Sequence, residues 1–307
     1  MRLTDRYPFY QKLMKGKGNP YHDAQGHWTS KAKAVGIGIG GVAASEVGVL
    51  GEDNASAGAV GIGNVTGGTP DVSSNVSFGS YSPTTEEQDY VGGSVPKMVS
   101  AQSGGLTVKL PAGYEALGTK LIAEYNSLPK ALKRTEVSVY FSSHSDPNDA
   151  ELSKLWGAGV FTIAETVPAG ASPSQSQAQI YVWGNEKGPQ ALDLPSFAHE
   201  LAHNLDGARC EISNGTGYRA AIASDTDHIN KMWASHPDVS KSWKTALQGS
   251  DGNQYVSEYA KKAHDILGGR EENREDFADS VKWWVEDKQV LKDQSPARLK
   301  FIDSIMR

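Results

Sequence analysis

Two imidazoles four residues apart, His199 and His203, bracket a carboxylate at Glu200 in the run Ser196-Phe197-Ala198-His199-Glu200-Leu201-Ala202-His203-Asn204-Leu205-Asp206. On a helix, positions i and i+4 lie one above the other on the same face, so both rings can hold a single metal ion. Glu200 follows the first ring directly and projects beside it. There its carboxylate serves as a base for the metal's water and not as a ligand.

That chemistry needs a helix with a support behind it. Tyr181-Val182-Trp183 reads as the end of a strand, Gly184 to Gln190 is turn-rich, Asp193 can cap, and Pro195 suits a first helical turn. Ala198, Leu201, Ala202 and Leu205 then give the helix an apolar face to bury.

Two histidines leave a catalytic zinc site one ligand short, because such sites use three protein ligands and keep the fourth position for water. A third histidine placed after a glycine is excluded, since Asp206 and Arg209 stand at those positions. A carboxylate from a later helix is the remaining common solution, and Asn273 to Trp284 offers one. Phe277, Ala278, Val281 and Trp284 form its buried face, Glu275 and Asp279 lie one turn apart on one side, and Asp276 points elsewhere. Glu275 can reach the metal while Asp279 accepts a hydrogen bond from the distal nitrogen of a ligating ring, which fixes the tautomer.

The elements that must position these groups begin near Leu106. Tyr114 to Leu128 carries Leu117, Leu121, Tyr125 and Leu128 at helical spacing until Pro129 interrupts it. Glu136 to Phe141 and Gln179 to Trp183 read as strands. The order helix, strand, strand, metal helix is that of a small α+β zinc-peptidase core, whose edge strand aligns an extended substrate above the metal.

Before Leu106 the composition changes. From Gly36 to Gly105 the chain is Gly, Ser, Thr, Asn and small apolar residues, which bury little area per ordered residue. The expected division is therefore an irregular Gly/Ser-rich leader over 1–105, a docking or packaging arm, and a folded domain over 106–307. Gly36-Ile37-Gly38-Ile39-Gly40-Gly41 satisfies GxGxxG, but no strand precedes it and no helix follows, so a dinucleotide site fails on context. His22, Asp23 and His27 sit on no rigid element that could hold a second metal.

The 307 residues carry a net charge of -6, which provides no basic field for nucleic acid. The single cysteine, Cys210, excludes an internal disulfide and a CxxC metal knuckle and reads as a small buried apolar residue. Met1 to Arg6 is not followed by the apolar stretch of a secretory signal, and Ala34 to Leu50, broken by glycines and Glu46, falls short of the roughly 20 residues of a membrane span. The expectation is a cytoplasmic or virion-associated chain with no stable membrane span.

His199 to His203 with Asp206, Ser257-Glu258-Tyr259-Ala260, and Glu275-Asp276-Phe277-Ala278-Asp279 together resemble the metallopeptidase domain of anthrax lethal factor and, more broadly, the Glu-zincins. The resemblance spans about Leu128 to Trp284. It implies a zincin-like fold with a C-terminal helical part and Zn2+ held by His199, His203 and Glu275. It further implies Glu200 as the base, Tyr259 across the metal to stabilise the oxyanion, and Asp206 and Asp279 behind the ligands. The chain departs from the family in a longer loop between Tyr259 and Glu275 that includes Gly268-Gly269, which leaves Tyr255 and His228 as rivals to Tyr259. A shorter stretch, Gly18 to Lys31, resembles bacteriophage portal and head-morphogenesis sequences, with Trp28 in the aromatic place.

These resemblances imply a zinc-dependent endopeptidase acting on a protein or peptide, carried in a phage particle or used as a toxin effector, with the leader engaging virion proteins. The alternatives are a virion structural or packaging protein whose zinc only braces the fold, and a secreted enzyme that processes its own leader.

Overall fold

The computed structural model describes residues 76–307, apart from 93, 148, 151–161, 168, 170–176, 186–187, 209–210, 235–246 and 268–272. The phage-like segment, the GxGxxG run, His22, Asp23 and His27, Cys210 and the Gly268-Gly269 loop lie outside the described residues.

In chain order the elements are β1 (Gly79–Tyr81), α1 (Thr85–Val91), β2 (Met98–Ser103), β3 (Leu106–Pro111), α2 (Glu115–Ser127), β4 (Val137–Phe141), β5 (Ala164–Val167), β6 (Ala178–Val182) and α3 (Leu194–Ala208). They continue with α4 (Thr216–Ala234), α5 (Glu258–Leu267), α6 (Arg274–Glu286), α7 (Lys288–Gln294) and α8 (Pro296–Met306). The architecture is α+β, with one mixed six-stranded sheet ordered β1-β2-β3-β4-β6-β5.

β4 is buried at every position because its two faces serve two cores. Val137, Val139 and Phe141 alternate onto the main core with Leu106, Val108 and Leu110 of β3 and Ala178, Ile180 and Val182 of β6. Tyr140 points the other way, into an aromatic layer with Tyr181 and Trp183. Tyr90, one residue short of the end of α1, stacks on Tyr181 with ring centres 4.1 Å apart. β4 runs parallel to both β3 and β6, and α2 provides the crossover that the β3–β4 pair requires. α2 ends where Leu128 turns extended before Pro129, since a residue preceding proline avoids the helical region.

The division expected at 105/106 falls inside the sheet. β2 pairs antiparallel with β3 from Met98↔Pro111 to Ser103↔Leu106, and β1 pairs with β2. Gly104-Gly105, which by composition closes a glycine-rich leader, is a tight hairpin turn, with Gly104 at φ 59°. Residues 79–103 thus add two strands and α1 to the domain. β5, another strand with no expectation attached, pairs antiparallel with β6 and forms the sheet edge beside α3.

α3 carries the paired histidines and packs against α6 more extensively than any other two described elements pack together. Phe197, Ala198, Leu201, Ala202 and Leu205 of α3 meet Phe277, Ala278 and Val281 of α6 in the main core. No described helix is long and apolar enough to cross a membrane.

Candidate metal centre

Asp193 starts the histidine helix as its sequence suggests: its side chain accepts from the Ser196 N–H at 2.8 Å, and its backbone oxygen takes the Phe197 N–H, with Pro195 in the first turn. One turn in, His199 and His203 project from the same face with their Nε2 atoms 3.1 Å apart. Across the interface, Glu275 lies in the first turn of α6 and places Oε2 3.2 Å from His199 Nε2 and 3.3 Å from His203 Nε2.

The three atoms form a nearly equilateral triangle. A tetrahedral ion with bonds of about 2.0–2.1 Å separates its ligand atoms by about 3.3–3.4 Å, so the triangle has the size of one face of such a polyhedron. Glu275 Oε2 is buried facing both ring nitrogens, a placement that a bound cation would satisfy. These residues fit a divalent metal, and among the described residues no fourth His, Cys, Asp or Glu joins them. The side chains of His199, His203 and Glu275 retain 12%, 13% and 19% exposure, so the centre is partly buried.

Asp279, one turn after Glu275, sets the tautomer. Its Oδ1 accepts from His199 Nδ1 at 2.9 Å, which leaves the Nε2 lone pair facing the centre. Its other oxygen accepts from the Ser257 hydroxyl, which in turn accepts the Ala260 N–H at the start of α5. Burial works to lower the His199 imidazolium, yet Asp279 and Glu275 outweigh it and hold the ring up at about 10. Burial likewise opposes ionisation of Glu275, but His203 and His199 beside it keep its carboxyl well below the usual range.

Glu200 is buried on the side of α3 that meets β5, and Thr166 donates to its Oε2 at 2.6 Å. Of the three candidates for an oxyanion donor, Tyr259 is the one brought to the cluster, with its ring centre 6.1 Å from that of His199. Burial, the negative charges of Glu275, Asp279 and Glu200, and a hydrogen bond to Glu275 push its phenol well above the ordinary value, so it stays a proton donor. Tyr255 stacks on His264 and donates to Asp251, and His228 lies on α4 outside the cluster.

Asp206 sits differently from its expected place behind a ligand. It is fully buried and accepts from the Ser213 N–H and hydroxyl at 2.7 and 2.8 Å, with Arg274 Nε 3.5 Å away. It ties the end of α3 to the residue before Glu275, so it braces the inter-helix geometry one step removed from the rings. Asp276 faces away from the cluster, into a buried network. It accepts from Arg298 Nε at 2.7 Å, Tyr218 Oη at 2.7 Å and Val256 N–H at 2.7 Å, while Arg298 also reaches Asp225 at 3.1 Å. Sequence reasoning missed Thr166 and Arg298, and gave Ser257 no role although it opens the Ser257-Glu258-Tyr259-Ala260 segment: each acts through a partner distant in the chain.

The chain matches no family model, no curated protein and no solved structure at a significant level. The functional reading therefore stands on the site itself.

Proposed function

We propose that the chain is a zinc-dependent endopeptidase of zincin-like architecture. The observation that carries this reading is the triangle of His199, His203 and Glu275, with no fourth His, Cys, Asp or Glu joining it among the described residues and the buried carboxylate of Glu200 next to its first ligand. A structural zinc site is normally closed by four protein ligands, whereas a site with three and an adjacent base has the composition of a catalytic one. Zinc bound there would supply a Lewis acid and bring the pKa of a water towards 7. Glu200 takes the proton from the attacking water and passes it to the leaving amine. The Tyr259 phenol donates to the oxygen that gains charge at the tetrahedral stage, an effect typically worth about 2.7–4 kcal/mol per donor. Asp279 keeps the His199 ring oriented, and β5 offers a strand edge beside the base along which an extended chain can lie.

Glu200→Gln keeps the shape of the side chain and removes its basicity. The zinc-loaded variant should retain one metal per chain and lose about a hundred- to ten-thousand-fold in cleavage of a susceptible protein. Cleavage at the parent rate, abolished by chelator in both proteins, would refute the role of Glu200. A parent that binds zinc and cleaves nothing would favour the bracing role in a virion protein.

A further inference from the structure

Glu200 has a partner that the ligand pattern does not account for. Thr166, inside edge strand β5, places Oγ1 2.6 Å from Glu200 Oε2 and 3.1 Å from the backbone oxygen of the same residue. A hydroxyl has one proton to give. An oxygen–oxygen distance of 2.6 Å falls in the range of about 2.5–2.7 Å for a bond from a hydroxyl to an ionised oxygen, so the carboxylate is the acceptor. The donor is stiff at both levels. Threonine's branched Cβ restricts χ1, and the backbone of Thr166 is held in the ladder opposite Ile180. Among the described residues it is the one side chain that hydrogen-bonds this carboxylate.

We propose, on the reading of this site as a peptidase, that Thr166 is the positioning residue for the general base. It fixes Glu200 Oε2 and presents Oε1 to the attacking water. A glutamate left to itself samples several staggered rotamers and a broad terminal torsion. Holding one oxygen selects a single orientation, and a misplacement of about 1 Å at a reacting group costs on the order of a hundredfold. Because the clamp is carried by the edge strand, it also ties the strand's position to the orientation of the base.

The test compares Thr166→Val, which keeps the branched shape and loses the hydroxyl, with Thr166→Ser, which keeps the hydroxyl. Both are assayed as full-length zinc-loaded chains on quenched peptides that the parent cleaves and Glu200→Gln does not. Thr166→Val should lose about ten- to a hundredfold in kcat with KM within about twofold, while Thr166→Ser stays within about threefold of the parent. Zinc stoichiometry should match the parent in both. A Thr166→Val variant with parental kcat, a loss confined to KM, loss of zinc, or a Thr166→Ser variant as impaired as the valine would overturn the proposal. If the parent cleaves no peptide, the peptidase reading fails, and the clamp is judged separately by denaturing the metal-free chain. Thr166→Val and Glu200→Ala should then be non-additive by about twofold or more in the unfolding constant, and additivity would overturn it.

Discussion

Two neighbouring acids on α6 should fail in opposite ways. Glu275 faces the histidines with 19% of its side chain exposed, whereas Asp276, the next residue, is fully buried against Arg298, Tyr218 and the Val256 N–H. Glu275→Ala removes one corner of the ligand triangle and leaves two ring nitrogens. Its zinc affinity should fall by more than the about ten- to a hundredfold typical of losing a residue behind a ligand. In the metal-free chain the carboxylate also pairs with the charged His199 ring, so that fold should lose part of this pairing, by less than the fully buried Asp276 network loses. Asp276→Ala leaves the Arg298 guanidinium, itself 0% exposed, with Asp225 as its remaining carboxylate and takes the acceptor from a buried phenol and a buried N–H. Breaking a buried ion pair from one side costs about 3–5 kcal/mol. At about 2–4 °C per kcal/mol for a domain of this size, Tm should drop by about 6–20 °C while zinc is retained. Metal analysis on gel-filtered protein and thermal melts in chelator read the two quantities independently. One zinc per chain in Glu275→Ala, or loss of zinc in an Asp276→Ala chain that is still folded, would refute the assignment of faces.

Asp279→Asn keeps the shape that meets His199 and removes the charge. Zinc affinity in a chelator competition should weaken about ten- to a hundredfold, and binding as tight as the parent's would mean that the 2.9 Å contact does not orient the ring. Zinc binding should also release a proton. His199 is held up at about 10, so the metal-free ring is charged at neutral pH and must become neutral to ligate. Affinity should therefore rise with pH, by up to about tenfold per unit between about pH 6 and 8. The same shift makes the ring's pairing with Asp279 and Glu275 stabilise the metal-free fold fully below the ordinary 6.5 and lose that contribution as pH rises through about 10. Calorimetry in buffers of different ionisation enthalpy counts the protons, and a count near zero contradicts the assignment.

The placement of the candidate site's side chains was legible where it is local. A helical repeat of four brings His199 and His203 together, the same repeat aligns Glu275 with Asp279, and the apolar spacing of α6 separates Glu275 from Asp276. Capping by Asp193 and the stop at Pro129 were readable for the same reason, since both act within one turn. Composition misled at the sheet's first edge, because Gly104-Gly105 looks the same in a leader as in a hairpin. β5 was invisible because Ala164 to Val167 is four residues long and owes its order to pairing with β6. Asp206 shows the limit of arguing from resemblance. Its burial beside the site is real, but its partners Ser213 and Arg274 are set by how the end of α3 meets the start of α6.

The two polar faces of α6 explain how a metal site can be precise on a helix that its ligands alone do not fix. Glu275 and Asp279 repeat at i and i+4 towards α3, and Asp276 and Ser280 repeat at i and i+4 towards Tyr218, with Arg298 also on Asp276. Phe277, Ala278 and Val281 fill the core between them. Advancing the helix by one residue turns it by about 100°, which would carry Glu275 out of the triangle and bury Asp276 against two histidines with no guanidinium beside it. The Arg298 network forbids that turn, because it binds a fully buried carboxylate through several bonds at once. Rigidity of α6 is thus supplied from the face opposite the His199, His203 and Glu275 cluster.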